Sequence, residues 1–103
     1  MSGPARFAFT APLWLHAGEG GWHFITLPPD VADEIGDLAD QGLAKGFGSV
    51  PVDVTIGTST WPTSVFPSRA DESYVLPVKK KVRVSEGIED GDDVAVHLEV
   101  RAQ

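Results

Sequence analysis

Two stretches of strict alternation constrain this chain more than any other feature. Val50, Val52, Val54 and Ile56 alternate with Pro51, Asp53 and Thr55, and Val94, Val96, Leu98 and Val100 alternate with Ala95, His97 and Glu99. A repeat of two puts every apolar residue on one face of an extended strand and leaves the other face to water. Such strands need neighbours for their backbone and cover for their apolar face. The chain must therefore build a sheet that packs against itself or is lidded.

The rest of the sequence supplies the same signal in shorter lengths. Phe7, Phe9, Leu13 and Leu15 share one parity within residues 6–16, with Pro12 weakening the strand. The loop Gly18-Glu19-Gly20-Gly21 and the apolar run Trp22–Leu27 make a hairpin with it. Thr60–Phe66 reads as a strand interrupted at Pro62, and Pro67–Glu72 as a polar turn. Tyr74–Val78 is short and apolar, a strand buried on both faces or lying at an edge. Lys79–Glu86 fits either a strand or a short helical turn, and Gly87 and Asp90-Gly91-Asp92 are turn signals. The 11 glycines and 8 prolines among 103 residues suit many short strands joined by turns.

One segment breaks the period. Pro28-Pro29-Asp30 stops a strand and opens a helix, with Asp30 expected to cap its first turn. Val31, Ile35, Leu38 and Ala39 follow at helical spacing, Asp33, Glu34, Asp37 and Asp40 make the opposite face acidic, and Gly42 ends the pattern. Gly36 inside it costs about 1 kcal/mol relative to alanine, so the helix depends on packing. The prediction is a single mainly-β domain over residues 1–103: a small closed or nearly closed barrel of about six strands with one short α-helix. Closure relieves short strands of unpaired edges.

The order of segments in the second half is itself informative. Thr60-Trp61-Pro62-Thr63-Ser64-Val65-Phe66-Pro67, then Tyr74-Val75-Leu76-Pro77-Val78-Lys79, then Glu86-Gly87-Ile88-Glu89-Asp90-Gly91-Asp92-Asp93-Val94 resembles the domain of unknown function family nineteen-oh-five. Phe7–Leu15 followed by Gly21–Pro28 is similar to the opening hairpin of that family. The resemblance implies a small β-barrel with one helix. It implies no activity, no cofactor and no site residues. At Asp71-Glu72-Ser73 the family usually has a glycine, so the turn type there is open.

Familiar chemistries are poorly served. The chain has no cysteine, so disulfides, thiolate metal sites and thiol nucleophiles are excluded. His16, His23 and His97 form no ligand motif, although His16 and His23 flank the first hairpin and could approach across it. Asp90-Gly91-Asp92-Asp93 lacks the spaced oxygen ligands of a calcium loop and reads as a tight turn. No metal and no cofactor is expected. Ser64 lies in an extended segment without a Gly-x-Ser-x-Gly elbow, and no phosphate-binding glycine loop is present. A net charge of -7 disfavours nucleic acid, although Lys79, Lys80, Lys81 and Arg83 supply half of the 8 basic residues. No run approaches the roughly 20 apolar residues of a membrane span. Met1–Arg6 does not read as a signal peptide, and the lack of cysteine is compatible with a cytoplasmic location.

Trp14, Trp22 and Trp61 all fall in strand-like segments, and Trp14 opposes the parity of Leu13 and Leu15, which puts it at a rim or in solvent. Aromatic side chains either finish a core or form a binding patch. The leading expectation is a non-enzymatic binding or interaction module for a small molecule or a protein. Its candidate patch is Trp61, Ser64, Arg69, Tyr74, Lys79 and Arg83. One alternative is an enzyme with an unrecognised site at Trp61, Ser64 and Tyr74. Another is a nucleic-acid-binding barrel. The sequence allows a homodimer without requiring one.

Overall fold

The computed structural model describes residues 5–18 and 20–101. Met1–Pro4, which make up most of the segment assessed as a signal peptide, and Glu19 of the glycine loop lie outside the described residues. The elements run β1 (Arg6–Leu15), β2 (His23–Thr26), α1 (Pro29–Leu38), β3 (Val50–Ile56), β4 (Ser59–Ser68), β5 (Ser73–Pro77), α2 (Lys80–Glu86) and β6 (Asp93–Val100). The strands close into an antiparallel barrel in the order β1-β2-β5-β4-β3-β6. The predicted six-strand barrel is therefore present, with a second helix where the sequence was ambiguous. No helix among the described residues is long and apolar enough to cross a membrane.

The two alternating stretches line the interior. Every apolar position of Val50–Ile56 is buried on β3, and Val94, Val96, Leu98 and Val100 are buried on β6. Burying a valine or leucine side chain stabilises by about 1.5–3 kcal/mol relative to leaving it in water, so these two strands carry much of the core. Leu13, Ile25 and Leu76 continue it through one cross-strand row of β1, β2 and β5. Val31 and Ile35 of α1 also belong to it.

The helix entry differs from expectation. Pro29 is the first helical residue and Pro28 takes the cap position with no side-chain hydrogen bond. The paired prolines preset φ for helix entry, so Asp30 falls inside the first turn, where its charge complements the free amides without capping them. Gly42 does end the helical path, at φ 100, inside the wider turn over Ala39–Leu43 that follows α1. Trp14 is half-buried on the outer face rather than free in solvent, and its indole N–H donates to Thr26 Oγ1 at 2.9 Å. Asp90 and Asp92 serve the turn. Asp90 Oδ1 accepts from the Leu15 amide and Asp92 Oδ2 from the Glu89 amide, while Gly91 sits at φ 92.

β4 runs through Pro62 without interruption, and the ladder explains why. The Arg101 amide donates to the Pro51 carbonyl at 3.0 Å, so the backbone polar groups of Pro51 face β6. Pro51 pairs with Ser64 and Asp53 with Pro62. By antiparallel alternation these are the non-bonded pairs of the β3–β4 ladder. The missing N–H of Pro62 therefore points away from β3, where it breaks no bond.

The helix α2 closes one end of the barrel. Val82 is buried beneath it, and Glu86 ties its last turn to the β3–β4 turn. Ser59 Oγ donates to Glu86 Oε2 at 2.6 Å and Thr58 Oγ1 donates at 3.2 Å. Gly57 makes this approach feasible. It sits at φ 59, and a Cβ there would meet the Glu86 carboxylate. Gly57→Ala is expected to cost about 1–2 kcal/mol from the left-handed backbone alone. Gly36→Ala, at a helical position with open space around it, should gain up to about 1 kcal/mol. Urea unfolding of the two variants checks the opposite signs.

Candidate functional site

The ladder between β4 and β5 is short. The strands pair only over Phe66–Val75, Pro67–Tyr74 and Ser68–Ser73, while β3 and β4 pair from Val50–Val65 to Ile56–Ser59. Continuing the register would set Ser64 opposite Pro77. The Val78 amide donates to the His23 carbonyl at 3.0 Å, so Val78 faces β2 and the groups of Pro77 face β4. Pro77 has no N–H to offer the Ser64 carbonyl. The two strands therefore part where Pro62 and Pro77 both lack donors, and the barrel wall opens into a seam.

That seam is a groove of about 220 Å³, and Trp22, Trp61, Pro62, Thr63, Pro77, Val78 and Lys79 line it. Trp61 is only 7% exposed and points inward as the groove floor, with Val54 across the ladder. Trp22 is 58% exposed at the mouth. A second hollow of about 300 Å³ shares Trp61 and Lys79 and adds Lys81, Val82 and Ser85 of α2 with the hydroxyls of the β3–β4 turn. The two form one continuous surface, apolar at the tryptophans and cationic at the helix entry.

Trp22 also ends an aromatic cluster on the outer face. Its ring stacks on Phe24 at 6.3 Å, Phe24 packs against Trp14 at 5.3 Å, and His16 meets both Trp14 and Phe24 edge-on. The opposite outer wall is different. A hollow of about 420 Å³ there is lined by Arg6, Asp53, Thr55, Thr60, His97 and Glu99 together with small apolar atoms. Its charges satisfy one another through Arg6–Glu99 at 3.4 Å and Arg101–Asp53 at 3.9 Å.

The six residues singled out in the sequence fall in several places. Trp61 and Lys79 come together in the seam groove. Arg69 and Tyr74 come together at a separate hollow of about 430 Å³ under α1, with Asp33, Asp37, Asp40 and Glu72. Burial, and then the charge of Asp40, push the Tyr74 hydroxyl above its usual range. Arg83 donates from Nε to the Val78 carbonyl at 3.2 Å and steadies the start of α2. Ser64 lies on the outward parity of β4, opposite to Trp61 and Val65.

The six-residue candidate patch leaves out Trp22, which lines the seam groove, and Lys81, which lines the hollow beside it. Pro62 is legible in the sequence as an interruption, but its joint effect with Pro77 is not, because that depends on which strand each backbone faces. Phe47, fully exposed at φ 59 between Gly46 and Gly48, is a further outlier. Its loop is held by the Lys45 amide donating to the Ser49 carbonyl and by Ser49 Oγ donating to the Gly46 carbonyl.

The carboxylate of Glu86 is the titratable group nearest this machinery with a displaced pKa. The hydrogen bond from Ser59 lowers it most, Thr58 adds to that, and burial opposes. Its folded pKa lies below the ordinary value of 4.5, so its contribution is present above that value and lost as pH falls through the depressed one. Glu86→Gln should therefore speed amide exchange in α2 at neutral pH and make no difference once the native carboxyl is protonated.

Among the described residues, no group of three or more His, Asp or Glu side chains is placed to hold a metal ion. No curated protein matches the chain. The family model described as "Domain of unknown function (DUF1905)" matches residues 9–98, and with nearly the whole barrel inside that match, the chain belongs to this family.

Proposed function

We propose that this domain is a non-enzymatic binding module whose ligand enters the seam between β4 and β5. One observation carries the reading. A half-exposed tryptophan, Trp22, stands at the mouth of a groove floored by a second tryptophan and rimmed by Lys79. Large exposed aromatics beside a concave apolar wall are a common make-up of ligand sites. The wall is short of backbone donors because of its two prolines, so side chains would supply the contacts.

The enzymatic alternative has less support. Ser64 faces outward, and Tyr74 lies at the hollow under α1, so the three residues it needs do not converge. Nucleic-acid binding is opposed by the net charge of -7. A reducing cytoplasm suits a cysteine-free chain and remains part of the proposal.

Native mass spectrometry of protein purified without added ligand tests the reading. An added mass lost on denaturation, and absent from Trp22→Ala, is the expected result. A ligand-free mass together with unchanged Trp22 and Trp61 indole resonances across a panel of small aromatic compounds would overturn it. The same spectra report whether the domain is a monomer or a homodimer.

A further inference from the structure

We infer that the seam groove selects a small organic anion with an aromatic body, of the arylalkyl carboxylate class, an inference that rests on the binding reading above. The argument is one of local charge. The chain carries a net charge of -7, yet the wall beside Trp61 is cationic through Lys79 and Lys81. Neither lysine has a carboxylate partner among the described residues, where the ion pairs are Arg6–Glu99 and Arg101–Asp53. Among the described residues, Glu86 near this wall is held by hydrogen bonds from Ser59 and Thr58 and forms no ion pair with either lysine. The acidic face of α1 belongs to a different hollow.

Arg83 donates from Nε to the Val78 carbonyl and lines a different hollow, with Lys80 and Glu89. Two ammonium groups and the Ser85 hydroxyl are thus left to meet a carboxylate, while exposed Trp22 at the mouth, above the largely buried Trp61, offers apolar surface to a ring. An ammonium ligand would meet Lys79 and Lys81 as like charges and gain nothing from them. A charge-assisted hydrogen bond is stronger than a neutral one, and its benefit goes to the anion alone.

The test is a nitrogen-15 NMR titration of the domain with phenylacetate, phenylethanol, phenethylamine and acetate, following the indole N–H signals of Trp22 and Trp61. Phenylacetate is expected to bind about tenfold or more tightly than phenylethanol, the worth of one good charged contact. The Lys79→Gln, Lys81→Gln double variant should bring phenylacetate down to the level of the alcohol and leave the alcohol unchanged. Equal or tighter binding of the alcohol or the amine would overturn the anion class while the groove reading stands. Acetate matching phenylacetate without indole shifts would reduce the site to surface ion pairing and overturn the aromatic part. No indole shift with any of the four would overturn both readings.

Discussion

Trp61→Ala lowers the free energy of unfolding by about 3–5 kcal/mol, the cost of emptying a large buried aromatic site. Trp22→Ala changes it by less than about 1 kcal/mol, as for an exposed residue whose chief contact is one stacked ring. The contrast follows from burial, since Trp61 is 7% exposed and Trp22 58%. Both substitutions remove an indole from the groove, so both should weaken ligand binding. Trp22→Ala is then the variant that separates binding from folding. Urea unfolding at neutral pH measures the two costs. Equal costs would mean that Trp22 is held by the barrel and that its exposure has no bearing on ligand access.

The same pair of residues shows what could be read in advance. β3 and β6 were legible because strict alternation along a strand is a local property, visible in Val50–Ile56 and Val94–Val100 without knowing their neighbours. Lys79–Glu86 was not, because its helix is only seven residues long and owes its place to the buried Val82 and to the left-handed Gly87 that ends it. The seam was also hidden. Pro62 and Pro77 stand fifteen positions apart, and only the pairing of four strands, β3 with β4 and β2 with β5, turns their missing donors toward each other. Trp61 and Lys79 could be named as candidates from residue type, but their meeting depends on that opening. The turn at Asp71-Glu72-Ser73 is a smaller case. Glu72 adopts φ 50, a left-handed conformation that costs a non-glycine residue energy, which accounts for the glycine expected there from the family resemblance.

Ile25→Ala is expected to cost about 2–5 kcal/mol, a large part of the roughly 5–15 kcal/mol that holds a domain of this kind together. Ile25 is fully buried at the middle of the inward row Leu13–Ile25–Leu76, on a strand only four residues long. β2 has three ladder pairs to each neighbour, whereas β1 and β6 share seven. The loss should therefore be uneven. Amides of His23–Thr26 and Tyr74–Leu76 should gain more exchange than those of Val52–Val54 and Val96–Leu98, because the short ladders can open while the long ones hold. Hydrogen exchange on Ile25→Ala reads this directly, and a uniform rise at all four segments would mean that the barrel opens only as a whole. The outcome bears on function because β5 forms one wall of the seam. If that wall belongs to the least stable part of the barrel, a ligand bound between Trp61 and Lys79 should protect β5 more than it protects β3 or β6.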